Sequence, residues 1–301
     1  VVVGQTQQFT AIAFDQYNNV IAGAVFSWFT NVGTVSVGGL FTAQTVPGSG
    51  IVTATNGSVS HSATVNVVAG PIDHITIAPA WANLTVGGTQ AFIAMAYDSY
   101  GNVKTGVVFA WSSNVGTVDG TGQFTAQTTP GSGTVTVQSG AFSAIANVNV
   151  IIGPIDHILV TPDPASVIVG TQLQFTAQAY DLYNNPITGV AMTWSTNVGS
   201  IDIMGLFTAQ TVSGTGWVTA TAGAISGTSV VNVIPGAIAN ILVSPNGGWV
   251  IMNGQQQYTA TAYDGYGNEI PGISFTWSTE IGTVNAAGLL TAPATPGSGN
   301  V

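Results

Sequence analysis

The sequence predicts an all-β chain of small tandem sandwiches arranged as a head-to-tail rod. Three observations carry that prediction. Trp28, Trp111, Trp194 and Trp277 recur every 83 residues, as do Asp15, Asp98, Asp181 and Asp264, and Gly33, Gly116, Gly199 and Gly282. Residues 71–153 align with 154–236 without a gap, and 43 of the 83 positions are identical, which points to tandem duplication. Between these landmarks, short runs of alternating apolar and polar residues are broken by Gly, Pro, Asn and Asp, with no helical period.

In the second repeat the pattern places strands near 74–78, 84–86, 90–97, 107–112, 116–119, 123–126, 134–138 and 143–151. Alternation is clearest in the third strand of the next repeat. There Phe175, Ala177 and Ala179 point inward, and Gln174, Thr176 and Gln178 point out. The strand that follows buries Met192 and Trp194, as its counterpart buries Phe109 and Trp111. Seven or eight strands around a buried Trp, with turns every 8–12 residues, predict an immunoglobulin-like β-sandwich. The division is then 1–70, 71–153, 154–236 and 237–301. The two middle repeats are complete. The first lacks the opening strand and the last lacks the closing strands, so the chain is expected to be a piece of a longer array. Successive repeats join through Val67-Val-Ala-Gly-Pro-Ile-Asp-His74, Val150-Ile-Ile-Gly-Pro-Ile-Asp-His157 and Val233-Ile-Pro-Gly-Ala-Ile-Ala-Asn240. Such short connectors, with a Pro that fixes one φ, predict stiff joints, a hinged string being the alternative.

Several segments carry a family resemblance. His157-Ile-Leu-Val-Thr-Pro, Val169-Gly-Thr-Gln-Leu-Gln-Phe-Thr-Ala, Tyr180-Asp-Leu-Tyr-Asn-Asn, Trp194-Ser-Thr-Asn-Val-Gly and Gly205-Leu-Phe-Thr-Ala, followed by a Val-rich closing strand, resemble the tandem bacterial Ig-like domains of invasin- and intimin-type surface proteins. The resemblance spans all four repeats. It implies an extracellular or cell-surface setting and brings no catalytic residues with it.

Composition excludes several function classes. Only 4% of the residues are charged, against about 25% in an ordinary soluble domain. Lys104 is the one basic side chain among eleven carboxylates, and the net charge is −10. Binding to nucleic acid or to an anionic membrane surface requires the Lys and Arg that this chain lacks. No apolar run approaches the ~20 residues of a membrane-inserted helix. Without cysteine there is no disulfide, zinc thiolate or thiol nucleophile.

Candidate chemistry is sparse. The Asp-x-x-x-Asn segments at Asp15, Asp98, Asp181 and Asp264 are the calcium candidates. Calcium takes six to eight oxygens, however, and one carboxylate per loop equally suits an Asx turn closed on its own backbone. Asp73-His74 and Asp156-His157 sit at junctions, but the fourth repeat has Ala239-Asn240 there, so polar packing accounts for them better than a metal site. The acids do not recur as a facing pair, and Pro130-Gly-Ser-Gly133 lacks the Lys and helix of a phosphate loop. No enzyme activity and no cofactor are expected. The sequons at Asn56 and Asn83 permit glycosylation where a host performs it.

The surface is the unusual feature. With so little charge, outward positions are Thr, Ser, Asn, Gln, Gly or apolar. Phe29, Trp81, Trp217 and Trp249 each occur in one repeat only, and Ile12, Ile93 and Met95 stand where later repeats carry Gln or Thr. Apolar groups placed outward and differing between repeats are candidates for contacts with copies of the same chain. The leading expectation is a non-enzymatic extracellular structural protein that packs laterally into a filament, sheath or surface layer. One alternative is an adhesin stalk presenting a distal module that contacts a glycan or surface. The other is a carbohydrate-binding accessory of a secreted enzyme.

Overall fold

The computed structural model describes residues 1–301, all of it strands, turns and loops. By internal contacts the chain forms two units, Val1–Gly153 and Pro154–Val301. Each holds two of the sequence repeats.

The complete repeats show the architecture. In residues 71–153, one sheet has the order Ala110–Ser113, Gly131–Ser139, Phe142–Ile151 and Trp81–Thr85. Its last pair is parallel, with Asn147 opposite Trp81. Facing it are the ladders of Gly116–Val118, Gln123–Ala126 and Thr89–Ala91, and the pair Ile93–Tyr97 with His74–Ala78. Residues 154–236 repeat this plan, with Thr193–Thr196, Gly214–Ala222, Ile225–Ile234 and Ala165–Ile168 in the four-stranded sheet. The inward residues of the two sheets meet in one core, where Phe175, Phe207, Val218, Ala220 and Val231 are fully buried and Trp194 closes one side.

The recurring landmarks have local causes. Phe175 and Phe207 meet edge to face with centroids 5.8 Å apart, and Phe92 and Phe124 do so at 6.1 Å. A Cβ on Gly116 would collide with the Thr125 carbonyl of the neighbouring strand, so that landmark is a close backbone approach. Two residues earlier, Asn114 Oδ1 accepts the amide of Thr134 at 2.8 Å and sets the register of the strand behind it. Asn31 and Asn197 do the same for Ile51 and Trp217.

Three strand placements differ from those the sequence predicts. The expected 84–86 strand runs Trp81–Thr85, because its parallel partner Asn147–Ile151 already engages it at Trp81. The expected 90–97 strand breaks at Phe92, whose amide donates to the Gly122 carbonyl at 2.8 Å while the chain passes from one ladder to the other. The expected 107–112 strand begins only at Ala110, where Gln138 supplies a ladder partner. In residues 237–301 the stretch around Trp277 joins no ladder, and the five residues 297–301 that correspond to the start of Gly48–Asn56 form no strand.

Candidate interaction face and repeat junctions

Every Asp, Glu and Lys lies outside the strands of the larger sheets. The strands Ser27–Thr30, Gly48–Asn56 and Val59–Val67 of the first repeat, and the four-stranded sheets of the second and third, contain none of them. The outward residues of these sheets are Thr, Ser, Asn and Gln with a few apolar groups between. Thr53 and Ser62 hydroxyls bond across strands at 2.8 Å, and Thr215 donates to Asn232 at 2.9 Å.

Three large aromatics stand on this face. Phe29 alternates with the inward Trp28 and is 60% exposed; Trp81 and Trp217 are 63% and 54% exposed. Trp217 lies directly opposite the exposed Val230, and Ile168 opposite the exposed Ile234, so the third repeat presents two apolar pairs on one polar ladder. Trp249 takes the sequence position of Ser166, an outward site of that sheet in the third repeat, and its side chain is fully exposed. Each of the first three repeats thus places one aromatic on its larger sheet, and Trp249 matches them by sequence position alone. Ile12, Ile93 and Met95 are exposed as well but belong elsewhere. Ile93 and Met95 lie on the ladder with His74–Ala78, and Met95 Sδ accepts the Tyr97 hydroxyl at 3.4 Å. The seven candidates therefore form no single patch.

The Asp-x-Tyr-x-Asn segments are Asx turns. Asp98 Oδ1 accepts the amides of Tyr100 and Asn102, both at 2.9 Å, and Asn102 Nδ2 donates to both carboxylate oxygens. Asp15, Asp181 and Asp264 close the same turn. One carboxylate stands in each turn, and no group of three or more His, Asp or Glu gathers anywhere in the chain.

The turns at Asp98 and Asp264 reach the junction before them. Asp98 Oδ2 accepts the Gly70 amide at 2.8 Å, and Asn102 Nδ2 donates to the Thr45 carbonyl at 2.8 Å. In the other unit Asp264 Oδ2 accepts the Gly236 amide at 2.9 Å and Asn268 Nδ2 donates to the Thr211 carbonyl at 2.9 Å. That junction carries one bond more, from the Ser213 amide to Asn268 Oδ1 at 2.8 Å; the matching residue of the first repeat is Pro47, which has no N–H. The tyrosine of each turn meets a glycine. A Cβ on Gly4 would lie 2.5 Å from the Tyr100 hydroxyl, and one on Gly170 2.8 Å from that of Tyr266. Lys104 Nζ extends toward the Ala69 carbonyl at 3.4 Å. Beside the same joint, His74 stacks on Tyr97 at 5.2 Å and shares a hydrogen bond with Asp73, as His157 does with Tyr180 and Asp156.

Burial alone pushes the Asp98 and Asp264 carboxyls up, and the amide and asparagine hydrogen bonds outweigh it, bringing both down to about 2. Asp15, held first by the Asn19 side chain and then by its amide, is also lowered. A depressed folded-state value means the contribution is complete above the ordinary carboxyl range and lost as pH falls through the folded value. Melting temperature is expected to hold from neutral pH down to about 4 and to fall between about 4 and 2. Calorimetry across that range checks it, and a decline already complete by pH 4 contradicts it.

No family model matches this chain. Ice-binding protein 1 of Shewanella frigidimarina (strain NCIMB 400) is 30% identical over 244 residues, which cover 78% of this chain and 27% of that protein. The chain therefore spans about a quarter of that relative's length. Among solved structures it is similar to the Escherichia coli adhesin FdeC, with 21% identity, 77% of this chain and 93% of that one covered, and a TM-score of 0.44. For invasin, a bacterial integrin-binding protein, identity is 16%, coverage 95% and 69%, and TM-score 0.40. For domains 1–6 of the surface layer protein SbsC, identity is 21%, coverage 90% and 42%, and TM-score 0.28. No helix is long and apolar enough to cross a membrane.

Proposed function

We propose that this chain is part of a non-enzymatic extracellular structural protein. The uncharged sheet faces of its Ig-like repeats would pack against copies of the same chain in a filament, sheath or surface layer. The observation that supports this reading is the segregation of charge. Carboxylates stand outside the larger sheets, while the larger sheet of each of the first three repeats presents a neutral ladder carrying one large aromatic. Soluble monomers keep apart through mixed surface charge, and a face without it, studded with Trp and Phe, favours association. A second neutral face of the same kind is its natural complement, since neither side leaves an unpaired charge behind.

Electron microscopy of the purified chain at low and high salt tests the proposal. Ordered lateral assemblies at both are expected, because contacts between neutral groups are little affected by screening. Single, separate particles under both conditions would overturn the assembly reading. They would favour the adhesin stalk, to which the hydrogen-bonded junctions are equally suited.

A further inference from the structure

We infer that the Asp-x-Tyr-x-Asn turn is an orientation lock between successive repeats, in which one carboxylate oxygen closes the turn and the other grips the junction before it. The division of labour is explicit at Asp98, where Oδ1 takes the two amides of its own turn and Oδ2 takes Gly70, 28 residues away. Asn102, oriented by that carboxylate, reaches back to the Thr45 carbonyl in the body of the preceding repeat. Asp264 and Asn268 reproduce the arrangement with Gly236 and Thr211. Each turn grips two points of the preceding repeat, the connector just past its last strand and a loop, and two separated points fix an angle as one cannot.

The first repeat separates the turn from the lock. Asp15 makes the same turn bonds, to Tyr17 and Asn19 at 2.8 Å, but residues 1–14 contain no counterpart of Gly70 for its second oxygen. Its turn forms nonetheless. The turn is therefore a local structure and the grip an addition to it. Asp98 and Asp264 are 1% and 4% exposed. A buried carboxylate is tolerated where N–H donors surround it, and no buried polar side-chain atom here lacks a partner. The tyrosine adds shape to the grip, since Gly4 and Gly170, both with φ near +70°, leave only enough room for the hydroxyl end of the ring.

The test uses the whole 301-residue chain. Asp15→Ala, Asp98→Ala, Asp264→Ala and the Asp98→Ala/Asp264→Ala double variant are compared with the unmodified chain by small-angle X-ray scattering and by digestion with a broad-specificity subtilisin-type protease. The double variant is expected to show a broader distribution of particle dimensions. Cleavage within 67–73 and 233–240 is expected to be about tenfold faster, the change that follows from losing a charge-assisted hydrogen bond at a locally opening segment. Asp15→Ala, which breaks only a turn, is expected to leave both readouts unchanged. Ser213→Pro copies the residue natural at position 47, keeps the Asp264 turn and removes one grip bond, so it should loosen the 233–240 junction alone, by less. Equal behaviour of Asp15→Ala and Asp98→Ala, or no change at either junction in the double variant and in Ser213→Pro, would overturn the lock. These readouts are taken at concentrations where the chain is dispersed, so they stand or fall independently of lateral assembly.

Discussion

A chain with Phe29, Trp81, Trp217 and Trp249 all replaced by serine is expected to stay folded and to lose lateral association. None of the four contributes to a core cluster, and all point away from the packed side of their repeats. An aromatic side chain buries about 150–250 Å² when fully covered. Since roughly half of that area is open here, covering it at about 25 cal/mol per Å² is worth about 2–3 kcal/mol per residue. That corresponds to roughly thirtyfold or more in an association constant for each substitution. Sedimentation velocity over a concentration series reads the association, and the melting temperature serves as the control. Unchanged sedimentation in the fourfold variant would show that other surfaces hold the copies together. A large drop in melting temperature would show instead that these side chains pack within their own repeats.

Phe207→Ala is expected to have the largest effect on folding. The ring is fully buried and contacts Phe175 edge to face in the largest core of the chain. Phe→Ala substitutions in cores cost about 3–5 kcal/mol, and a domain of this size is stable by only about 5–15 kcal/mol. Urea denaturation followed by tryptophan emission should show a transition at much lower denaturant for the third repeat, whose partly buried reporter is Trp194. The first two repeats, whose cores are separate, should be little affected. A shift of less than about 1 kcal/mol would mean that the site collapses around the lost ring.

Much of the fold was legible because each sandwich buries one face of every strand, and alternation records that directly. Phe175, Ala177 and Ala179 turn inward as their spacing requires. Alternation was silent at Phe92, where the chain changes ladders without changing which side chains face the core. The Trp81–Thr85 strand was missed in part because its partner is parallel and lies more than sixty residues away in sequence. The exposed aromatics could be identified by comparing repeats, since a residue shared by all four serves the fold and one unique to a single repeat does not. The junction bonds could not. An Asp followed by Asn four residues later reads as a turn, and nothing local says that its second oxygen belongs to Gly70. The available signal was indirect, in the recurrence of Gly before each junction strand and of Tyr within each turn. The exchange of Pro47 for Ser213 gained meaning only once Asn268 was seen beside it.

Lys104 has a practical consequence. It is the only side-chain amine in the chain, and the chain has no thiol. Aldehyde fixatives and amine-reactive crosslinkers therefore find almost nothing to join, and an assembly of such chains would pass through them largely unlinked. The same scarcity makes Lys104 a ready-made address. A single dye or spin label placed there would report on the boundary between the first two repeats without any engineered cysteine. A protease that reads basic residues must first open the loop that holds Lys104, whose amide is bonded to the Ala96 carbonyl at 2.8 Å, before it can cut the folded chain at all.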